Sequence, residues 1–501
     1  MQNFNKSAIV IGSGFGGLAA SLRLRAIGYK VNLYEKLSQL GGRARVFKKD
    51  GFTFDAGPTV ITAPFLFDEI FELFGKQRKN YVSFVELDPW YQFYFDDGRF
   101  FNYGGTIKDT EEEIKKFNFE DVKGYRRLVK MSEEIFNVGF TELSHVPFDS
   151  FLFMIKQIPK LIRLKSYLTV YQLVSKYIKD PYLKKALSIQ PLLLGGNPVS
   201  TTSIYNLIHF LERKWKVHYA LGGTGAIVKA LKKLMVEEKI KIQTNTEVKR
   251  ILFENKKAIG IQLSNNKKIY SDIVVFNGDP SHAYLNMIPQ SKIKRWKRNK
   301  IEKLELSMGL FVIFFGTRKI YKNVEHHTIW MGKRFRGLLN EIFSGSKLPS
   351  DFSLYLHRPT ATDKTTAPEG CDSFYVLSPV PNLKSEICWE KEGEDYKNRI
   401  LKALEKTMLP GLTRNLKTCF FMTPNDFEKD YLAYNGSGFS ISPIFTQSAW
   451  FRFSNEAEDF KNLFFVGAGT HPGAGVPGVL SSAKVLENVL KRNEAKQNKY
   501  F

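Results

Sequence analysis

The opening of the chain shows two short apolar runs separated by a glycine-rich turn and a helical pattern. Residues 8–11 form a continuous apolar run, which is typical of a buried parallel strand. Apolar residues then recur at helical spacing over 18–27, and Gly28 stands where a helix C-cap would lie. A second strand is predicted over 31–34, and Glu35 follows it directly. The pattern therefore predicts a strand, turn, helix and strand in that order.

The turn carries Gly12, Gly14 and Gly17 in the spacing G-x-G-x-x-G. Gly12 permits the tight turn, Gly14 lets the backbone approach a pyrophosphate, and Gly17 lets helix and strand pack closely. The helix N-terminus offers free N–H groups and a positive dipole end to phosphates. Glu35 stands where a carboxylate can accept hydrogen bonds from both ribose hydroxyls. Because every part falls in order, the pattern predicts a dinucleotide site rather than a plain glycine turn.

A glycine–arginine segment and a second turn follow Glu35. Arg43, within 41–45, can add a charge-assisted contact to a pyrophosphate. Taken alone, this segment is equally consistent with a turn that carries two solvated arginines. Residues 54–59 form another turn that can bring the backbone close to a ligand. The candidate contacts in these two stretches are Gly42, Arg43, Arg45, Gly57, Pro58 and Thr59.

These motifs resemble the FAD-binding start of the flavin amine oxidase and carotenoid desaturase superfamily. Residues 462–478, NLFFVGAGTHPGAGVPG, strongly resemble the signature of bacterial-type phytoene desaturases. The segments GSGF at 436–439, TQSAWFR at 446–452, HFLER at 209–213 and GGTGA at 222–226 are similar to the same family. The likeness spans nearly the whole chain, which makes chance motif matching implausible.

The resemblance implies an FAD protein that removes hydrogens from phytoene, a colourless C40 polyene, to give lycopene or a less desaturated carotene. It implies that Val248 contacts the adenine through its backbone, and that the ribityl chain and isoalloxazine lie beside a C-terminal loop. Many flavoproteins have an aspartate at that loop, whereas this chain has Gly467-Ala468-Gly469, so backbone contacts are expected. The implied cofactor contacts are Gly12, Gly14, Gly17, Glu35, Gly42, Arg43, Arg45, Val248, Gly467, Gly475, Val476 and Pro477.

The predicted fold class is α/β. It comprises a Rossmann-like FAD-binding domain of the glutathione-reductase type, an inserted α+β substrate domain and a helical membrane-facing region. Strands predicted over 248–263, 273–276 and 463–466 return the chain to the nucleotide-binding sheet after the insertion. The predicted division is 1–75, 221–289 and 456–501 for FAD binding, 76–150 and 290–455 for substrate, and 151–220 for a helical lid.

A basic amphipathic stretch lies within 151–185. One interpretation is a lid helix that buries its apolar face in the protein; the other is contact with an anionic membrane surface. An insoluble C40 substrate, which must come from a bilayer, favours the membrane. Pro159 predicts a helix, a break and a second helix. The candidate membrane contacts are Phe151, Ile155, Lys156, Ile158, Lys160, Ile162 and Arg163.

Composition narrows the class of partner. The 501 residues are 43% hydrophobic, which excludes a disordered chain, and they carry a formal net charge of +24. Nucleic acid is not expected, because lysine is spread along the chain and no recognition motif is present. No apolar run approaches the roughly 20 residues of a membrane span. With only three cysteines, we expect a cytoplasmic protein, peripheral on the inner face of the cell membrane.

The mechanistic hypothesis is hydride transfer from an allylic methylene to flavin N5, followed by loss of a proton from the neighbouring carbon. The proton acceptor stays open between a flavin atom, a water and a carboxylate, and the final electron acceptor between quinone and oxygen. His471 is interpreted as a positioning residue near the flavin rather than a general base. No metal is expected, because His326 and His327 are adjacent and adjacent side chains point apart in a strand.

Three alternatives stay open. A carotenoid oxidase, ketolase or later-step desaturase would keep the same fold and act on a polyene that is already coloured. A flavin amine oxidase would act on an amine. A membrane-bound polyene or nucleic-acid binder would have lost flavin chemistry altogether, although the intact Gly12–Gly17 turn and Glu35 argue against it.

Overall fold

Strands and helices alternate along the computed structural model, which describes residues 6–148 and 150–497. The strands are β1 (Lys6–Ile11), β2 (Tyr29–Tyr34), β3 (Val46–Lys49), β4 (Phe52–Asp55), β5 (Phe84–Glu86), β6 (Tyr91–Tyr94), β7 (Phe100–Tyr103), β8 (His218–Ala220), β9 (Lys241–Gln243), β10 (Val248–Glu254), β11 (Lys257–Leu263), β12 (Lys268–Tyr270), β13 (Ile273–Phe276), β14 (Gly309–Thr317), β15 (His327–Trp330), β16 (Leu354–His357), β17 (Asp372–Val380), β18 (Leu416–Met422) and β19 (Leu463–Phe465). The helices are α1 (Phe15–Ala26), α2 (Phe65–Glu72), α3 (Ile107–Lys115), α4 (Asp121–Phe136), α5 (Phe151–Arg163), α6 (Val170–Tyr177), α7 (Pro181–Ala186), α8 (Leu207–Trp215), α9 (Thr224–Glu237), α10 (Pro280–His282), α11 (Arg298–Glu302), α12 (Arg336–Ser344), α13 (Trp389–Thr407), α14 (Leu412–Asn415), α15 (Pro424–Tyr431) and α16 (Val476–Gln497).

A five-stranded sheet of order β19-β13-β1-β2-β9 contains the predicted nucleotide-binding strands. Every neighbouring pair in it is parallel. The central strand β1 is buried over residues 8–11, as a strand covered on both faces should be. The strands predicted over 31–34, 273–276 and 463–466 are confirmed, although β19 ends at Phe465.

Helices α1 and α16 pack against each other beside this sheet. The small and apolar residues of α1 are almost all buried, and Arg23, one of its two arginines, is taken out of water with them. Its guanidinium donates to Glu487 of α16 at 2.8 Å and to Glu69 of α2 at 3.0 Å. A charged pair therefore joins the beginning and the end of the described chain.

A seven-stranded sheet of order β18-β14-β17-β16-β15-β6-β7 forms the second layer. Its pairs are antiparallel except β15 with β6, which is parallel. All nine residues of β14 are buried, and its phenylalanines pack against rings of β17 and β18. Strands β14 and β17 are nine residues long and pair with each other along their whole length.

The α/β class and the parallel sheet predicted for nucleotide binding are thus confirmed. A three-stranded antiparallel sheet, β10-β11-β12, is the meander predicted over 248–270. The division of the chain into numbered domain ranges stays a prediction. Among residues 6–148 and 150–497, no helix has both the length and the apolar character that crossing a bilayer requires.

The prediction of a break at Pro159 is wrong. Helix α5 runs without interruption from Phe151 to Arg163 with Pro159 inside it. Proline removes one backbone hydrogen bond to the preceding turn, but that turn belongs to a largely exposed helix, where water can satisfy the freed carbonyl. The helix also ends within a turn after Pro159, so little structure depends on a straight continuation.

Replacing Arg23 by alanine should lower the thermal stability of the protein clearly. The change removes the buried partner of Glu487, which keeps only its bond from the exposed Lys491 at 2.6 Å. A lost hydrogen bond between charged groups costs about 1.5–3 kcal/mol. Thermal unfolding followed by circular dichroism measures the change in Tm. Arg126→Ala is the matched control, because Arg126 pairs with Glu111 while its own side chain is 64% exposed. Equal shifts in Tm for the two variants would contradict a stabilising role for the buried pair.

Candidate functional site

A large cavity, with a water-accessible volume of about 560 Å³, connects the two sheets. The carboxyl ends of β1 and β13 form one end of it, and strands β14–β17 contribute to its walls. Away from the glycine loops the walls are largely apolar. Their residues include Leu192, Leu193, Met308, Leu310, Val312 and Phe439.

The structure brings most of the predicted cofactor contacts to this one cavity. The predicted contacts that line it are Gly12, Gly14, Glu35, Gly42, Arg43, Gly57, Pro58, Thr59, Val248, Gly467, Gly475, Val476 and Pro477. These residues come from loops that are far apart in sequence, yet they meet because the carboxyl ends of parallel strands lie at the same edge of a sheet.

Gly17 and Arg45 lie outside the cavity lining. A Cβ atom at Gly17 would stand 2.0 Å from the carbonyl oxygen of Gly12, so Gly17 serves the contact between helix and turn. Arg45 forms an ion pair of 2.5 Å with Asp430, and its guanidinium lies 5.1 Å from the ring centroid of Tyr431. Direct contact of either residue with the cofactor stays a prediction.

Glu35 ends β2 and is buried beside the glycine loop. Its carboxylate accepts hydrogen bonds from the backbone N–H of Ser13 at 2.8 Å and of Leu37 at 2.8 Å. The Ser13 hydroxyl donates to the same carboxylate. Glu35 thus holds the loop in place and presents a negative charge where a ribose would lie.

Arg43 is a half-buried cation whose Nε is buried and which has no ion-pair partner among the described residues. Its Nη2 donates to the carbonyl of Ser437 at 3.3 Å, while its Nε has no partner among the described residues. No described carboxylate forms an ion pair with it, and burial lowers the pKa of its guanidinium. An unpaired buried charge is costly, so this position calls for an anionic ligand.

The second turn approaches Arg43 through its backbone. A Cβ atom at Gly57 would stand 2.5 Å from the carbonyl oxygen of Arg43, so only glycine fits there. Thr59 follows on the cavity wall, and its hydroxyl lies 2.8 Å from that of Tyr355. The turn therefore joins the nucleotide end of the cavity to the seven-stranded sheet.

The C-terminal loop closes the cavity from the other side. Gly467 follows β19 with φ +101°, and its N–H donates to the Ser482 hydroxyl at 2.8 Å. Arg452 supports the loop from behind: it donates to the carbonyls of Thr470 at 3.1 Å and Ala468 at 2.7 Å. Helix α16 then begins at Val476, so its free N–H groups face the cavity.

His471 lines the cavity within the same loop. Its Nε2 lies 3.2 Å from the carbonyl oxygen of Leu143, and its ring contacts that of Phe148. Burial lowers the pKa of the imidazole to about 4, so the ring is neutral at pH 7. A neutral ring held on a carbonyl suits a positioning residue, and that role stays a prediction.

Sequence reasoning missed two residues of the cavity. Asn277 follows β13, and its side-chain amide donates to the carbonyl of Gly12 at 3.3 Å; a polar residue after a parallel strand was the available signal. Glu212 of α8 accepts from the Tyr91 hydroxyl at 2.9 Å, while its second oxygen has no partner among the described residues. Burial raises the pKa of Glu212 to about 8, which makes it a neutral acid at pH 7.

The expectation that His326 and His327 point apart is wrong. Their rings lie with centroids 4.6 Å apart, and a third ring, that of His357, joins them. His326 precedes β15 and is outside the strand, so the alternation of strand side chains does not apply to it. The third histidine comes from β16, which no spacing in the sequence indicates.

The residues present fit a flavin dinucleotide. The glycine loop and Arg43 would hold the pyrophosphate, Glu35 the ribose, Val248 the adenine, and the loop from Gly467 the flavin end. Glycine at the close approaches leaves room for backbone contacts, and the buried guanidinium supplies the positive charge that a pyrophosphate requires.

Arg43→Ala should weaken retention of FAD by roughly tenfold or more, since a charge-assisted hydrogen bond contributes about 1.5–3 kcal/mol. Flavin fluorescence during titration of the apoprotein measures the dissociation constant. Arg250→Ala, which removes an exposed arginine of β10, is the matched control and should leave it unchanged. An Arg43→Ala protein that folds and binds FAD as the unaltered chain does would contradict the pyrophosphate contact.

The fold is similar to that of solved flavoenzymes. Putrescine oxidase matches with a TM-score of 0.66 at 14% identity, over 97% of this chain and 99% of that one. An oxidoreductase from Methanosarcina mazei matches with a TM-score of 0.64 at 16% identity, over 97% of this chain and 100% of that one. At such identities the likeness concerns the fold alone.

Sequence comparison is more specific. The model of the family "Flavin containing amine oxidoreductase" matches residues 15–485. A lycopene-forming phytoene desaturase of Pantoea ananas is 43% identical, over 97% of this chain and 99% of the relative. A neurosporene-forming phytoene desaturase of Rhodobacter capsulatus is 40% identical, over 96% and 93%. The cofactor is therefore FAD, and the chain belongs to the flavin-containing amine oxidoreductase family, among the bacterial phytoene desaturases.

Proposed function

We propose that the chain is an FAD-dependent phytoene desaturase, which removes hydrogens stepwise from phytoene to give lycopene or a partly desaturated carotene. The observation that carries the proposal is the apolar cavity that connects the dinucleotide loops with the inner side of α5. Full-length relatives that form lycopene or neurosporene support the same reaction.

Each desaturation removes two hydrogens from neighbouring carbons beside a double bond. When bound, FAD supplies the acceptor for the hydride, which no protein side chain can provide. The chain's own part is to align the hydrocarbon and exclude water, through apolar wall residues such as Leu192, Leu310 and Phe439. The final electron acceptor, quinone or oxygen, stays open within the proposal.

The cavity argues against an amine substrate. A cationic amine in a buried site requires a negative charge beside it. Glu212 lines the cavity, but burial raises its pKa to about 8 and keeps it neutral at pH 7. The buried carboxylate of Asp279, which also lines it, already accepts hydrogen bonds from Ser281, Tyr434 and Ser440. The leucine, methionine and phenylalanine side chains of the walls make apolar contacts with a hydrocarbon, but they offer an ammonium group no hydrogen-bond acceptor. A later-step carotenoid enzyme would need the same apolar walls, so only the substrate distinguishes it from the proposed phytoene desaturase.

Helix α5 supports a membrane contact on its outer side. Several of its large apolar residues are exposed, with Leu152 at 70%, Ile162 at 61% and Phe151, whose ring also contacts Trp450, at 51%. Ile155 and Ile158 are each 42% exposed. Exposing several large apolar side chains on one helix is costly in water and typical of a surface that enters a lipid headgroup layer.

The inner side of α5 belongs to the cavity. Met154, Gln157 and Leu161 line it, one turn apart along the helix. Lys156, Lys160 and Arg163 flank the exposed apolar residues and would meet anionic headgroups. A polyene that leaves the bilayer beside α5 would thus enter an apolar space directly. We propose that the protein binds peripherally, through α5, to the inner, cytoplasmic face of the cell membrane.

Expression in bacteria that accumulate phytoene should yield coloured cells whose extracted pigment has the spectrum of lycopene or neurosporene. Gly12→Val is the matched control, because a side chain at Gly12 would stand 2.7 Å from the carbonyl oxygen of Asn277 and disrupt the FAD loop; these cells should stay colourless. Colourless cells that contain folded, flavin-loaded unaltered protein would contradict phytoene as substrate and favour a later carotenoid.

Reversing the charges of α5, as Lys156→Glu, Lys160→Glu and Arg163→Glu together, should abolish binding to anionic liposomes. Each cation near the surface contributes about 1 kcal/mol, so three lost cations lower partitioning at least roughly 100-fold. Cosedimentation with vesicles of phosphatidylglycerol and phosphatidylcholine measures it. The matched control reverses Lys229, Lys232 and Lys233, exposed lysines of α9, and should sediment as before. Unchanged sedimentation of the α5 variant would refute this membrane contact.

A further inference from the structure

Three buried histidines meet at β15 and β16, outside the lining of the cavity. His327 and His357 stand directly opposite each other in the antiparallel register, and His326 precedes His327 at the start of β15. Their exposed fractions are 4% for His326, 0% for His327 and 1% for His357. One ring nitrogen from each residue lies within 4.8 Å of the other two.

The hydrogen bonds of the three rings leave nitrogens unused. Nδ1 of His326 lies 2.7 Å from the Thr362 hydroxyl, and Nδ1 of His327 lies 2.7 Å from the Tyr355 hydroxyl. Nε2 of both residues, and both ring nitrogens of His357, have no hydrogen-bond partner among the described residues. A buried polar atom without a partner costs about 1–3 kcal/mol, so this cluster requires an explanation.

The three rings are in the state that binds metals. Burial lowers the pKa of each imidazole; neighbouring histidines lower it further at His326 and His327, whereas the Asp55 carboxylate partly offsets the lowering at His357. The rings are therefore neutral at pH 7, with a free lone pair on each unprotonated nitrogen. Protonated rings, by contrast, would repel one another and any cation.

The distances suit one small ion after slight movement. Two ligands at about 2.0–2.1 Å from a tetrahedral zinc ion lie roughly 3.4 Å apart. The three ring nitrogens now lie within 4.8 Å of one another, so each ring must shift by less than about 1 Å to bind such an ion. The bonds from Nδ1 to Thr362 and Tyr355 are the outer-shell partners that typically orient metal-binding imidazoles.

The charge around the cluster is close to balanced. The Asp55 carboxylate approaches Nε2 of His357 at 3.8 Å and supplies a negative charge. The nearest cation, Arg358, forms an ion pair with Asp372 at 3.3 Å, which offsets its own charge. A divalent ion would therefore enter a site that already contains a carboxylate and no unpaired cation among these neighbours.

We propose that His326, His327 and His357 bind one divalent transition-metal ion of the zinc class through their imidazole nitrogens. Three imidazole nitrogens favour such ions, because magnesium and calcium prefer oxygen ligands. The ion would tie β15 to β16. The Tyr355 hydroxyl contacts both His327 and Thr59, so an ion bound to His327 would also hold this part of the cavity wall in place.

The test uses the full-length holoprotein without a polyhistidine tag, stripped with a chelator and dialysed. Zinc is added, free metal is removed, and bound zinc per chain is determined by inductively coupled plasma mass spectrometry. We expect about one zinc per chain and a rise in Tm on zinc addition. His327→Gln with His357→Gln should lose the bound zinc. His282→Gln, which removes a partly exposed histidine of α10, is the matched control and should keep it.

A stripped and reloaded unaltered protein that retains less than about a tenth of an equivalent of zinc would overturn the proposal. So would a double variant that keeps the zinc. If the double variant fails to fold, the zinc content and the Tm shift of the unaltered chain still decide the question. The pigment assay is independent, since a desaturase without bound zinc would refute the metal site and leave the proposed function standing.

Discussion

The carboxyl edge of the parallel sheet admits no side chain at the points where β1, α1 and β19 meet. A Cβ atom at Gly16 would stand 2.5 Å from the side-chain oxygen of Asn277, and one at Gly467 would stand 2.8 Å from it. At Gly17 the obstacle is the carbonyl of Gly12, at 2.0 Å. Because the segments around Gly16, Gly17 and Gly467 approach so closely, a cofactor at this edge can contact main-chain N–H groups directly. The other parts of the site are arranged around this edge.

A second theme is the separation of charge from hydrocarbon within one cavity. Arg43, Glu35 and the glycine loop provide polar and charged groups for the nucleotide. Other parts of the wall, such as Leu192, Leu310 and Phe439, are apolar, and the buried acid Glu212 is neutral at pH 7. A polar dinucleotide and an apolar chain can thus share one space, because each meets a matching surface.

Local patterns made the nucleotide-binding sheet predictable. The strands at 8–11 and 273–276 are continuous apolar runs bounded by glycine or polar residues, so burial on both faces follows from composition alone. Arg43 was predictable as a contact only through its neighbours in sequence. The histidine cluster was not, because His357 reaches His327 through strand pairing, and strand pairing leaves no spacing in the sequence.

Pro159 shows a different limit. The free-energy cost of a proline within a helix can be read from the sequence. Whether α5 continues through Pro159 depends on whether water or protein satisfies the freed carbonyl, and that depends on the fold. Arg45 illustrates the same limit. It lies next to Arg43 in the sequence, but its guanidinium pairs with Asp430 of α15 and does not line the cavity.

The pairing of Arg23 with Glu487 has a consequence for biosynthesis. A ribosome adds roughly 5–20 residues per second, so α1 emerges long before α16 is made. During that interval β13 lacks β19 on its outer edge and α1 lacks the helix that covers it. Until β19 and α16 have been made, the nascent chain therefore presents an open strand edge at β13 and a helix α1 without its cover, and Arg23 has only the partly exposed Glu69 as a partner.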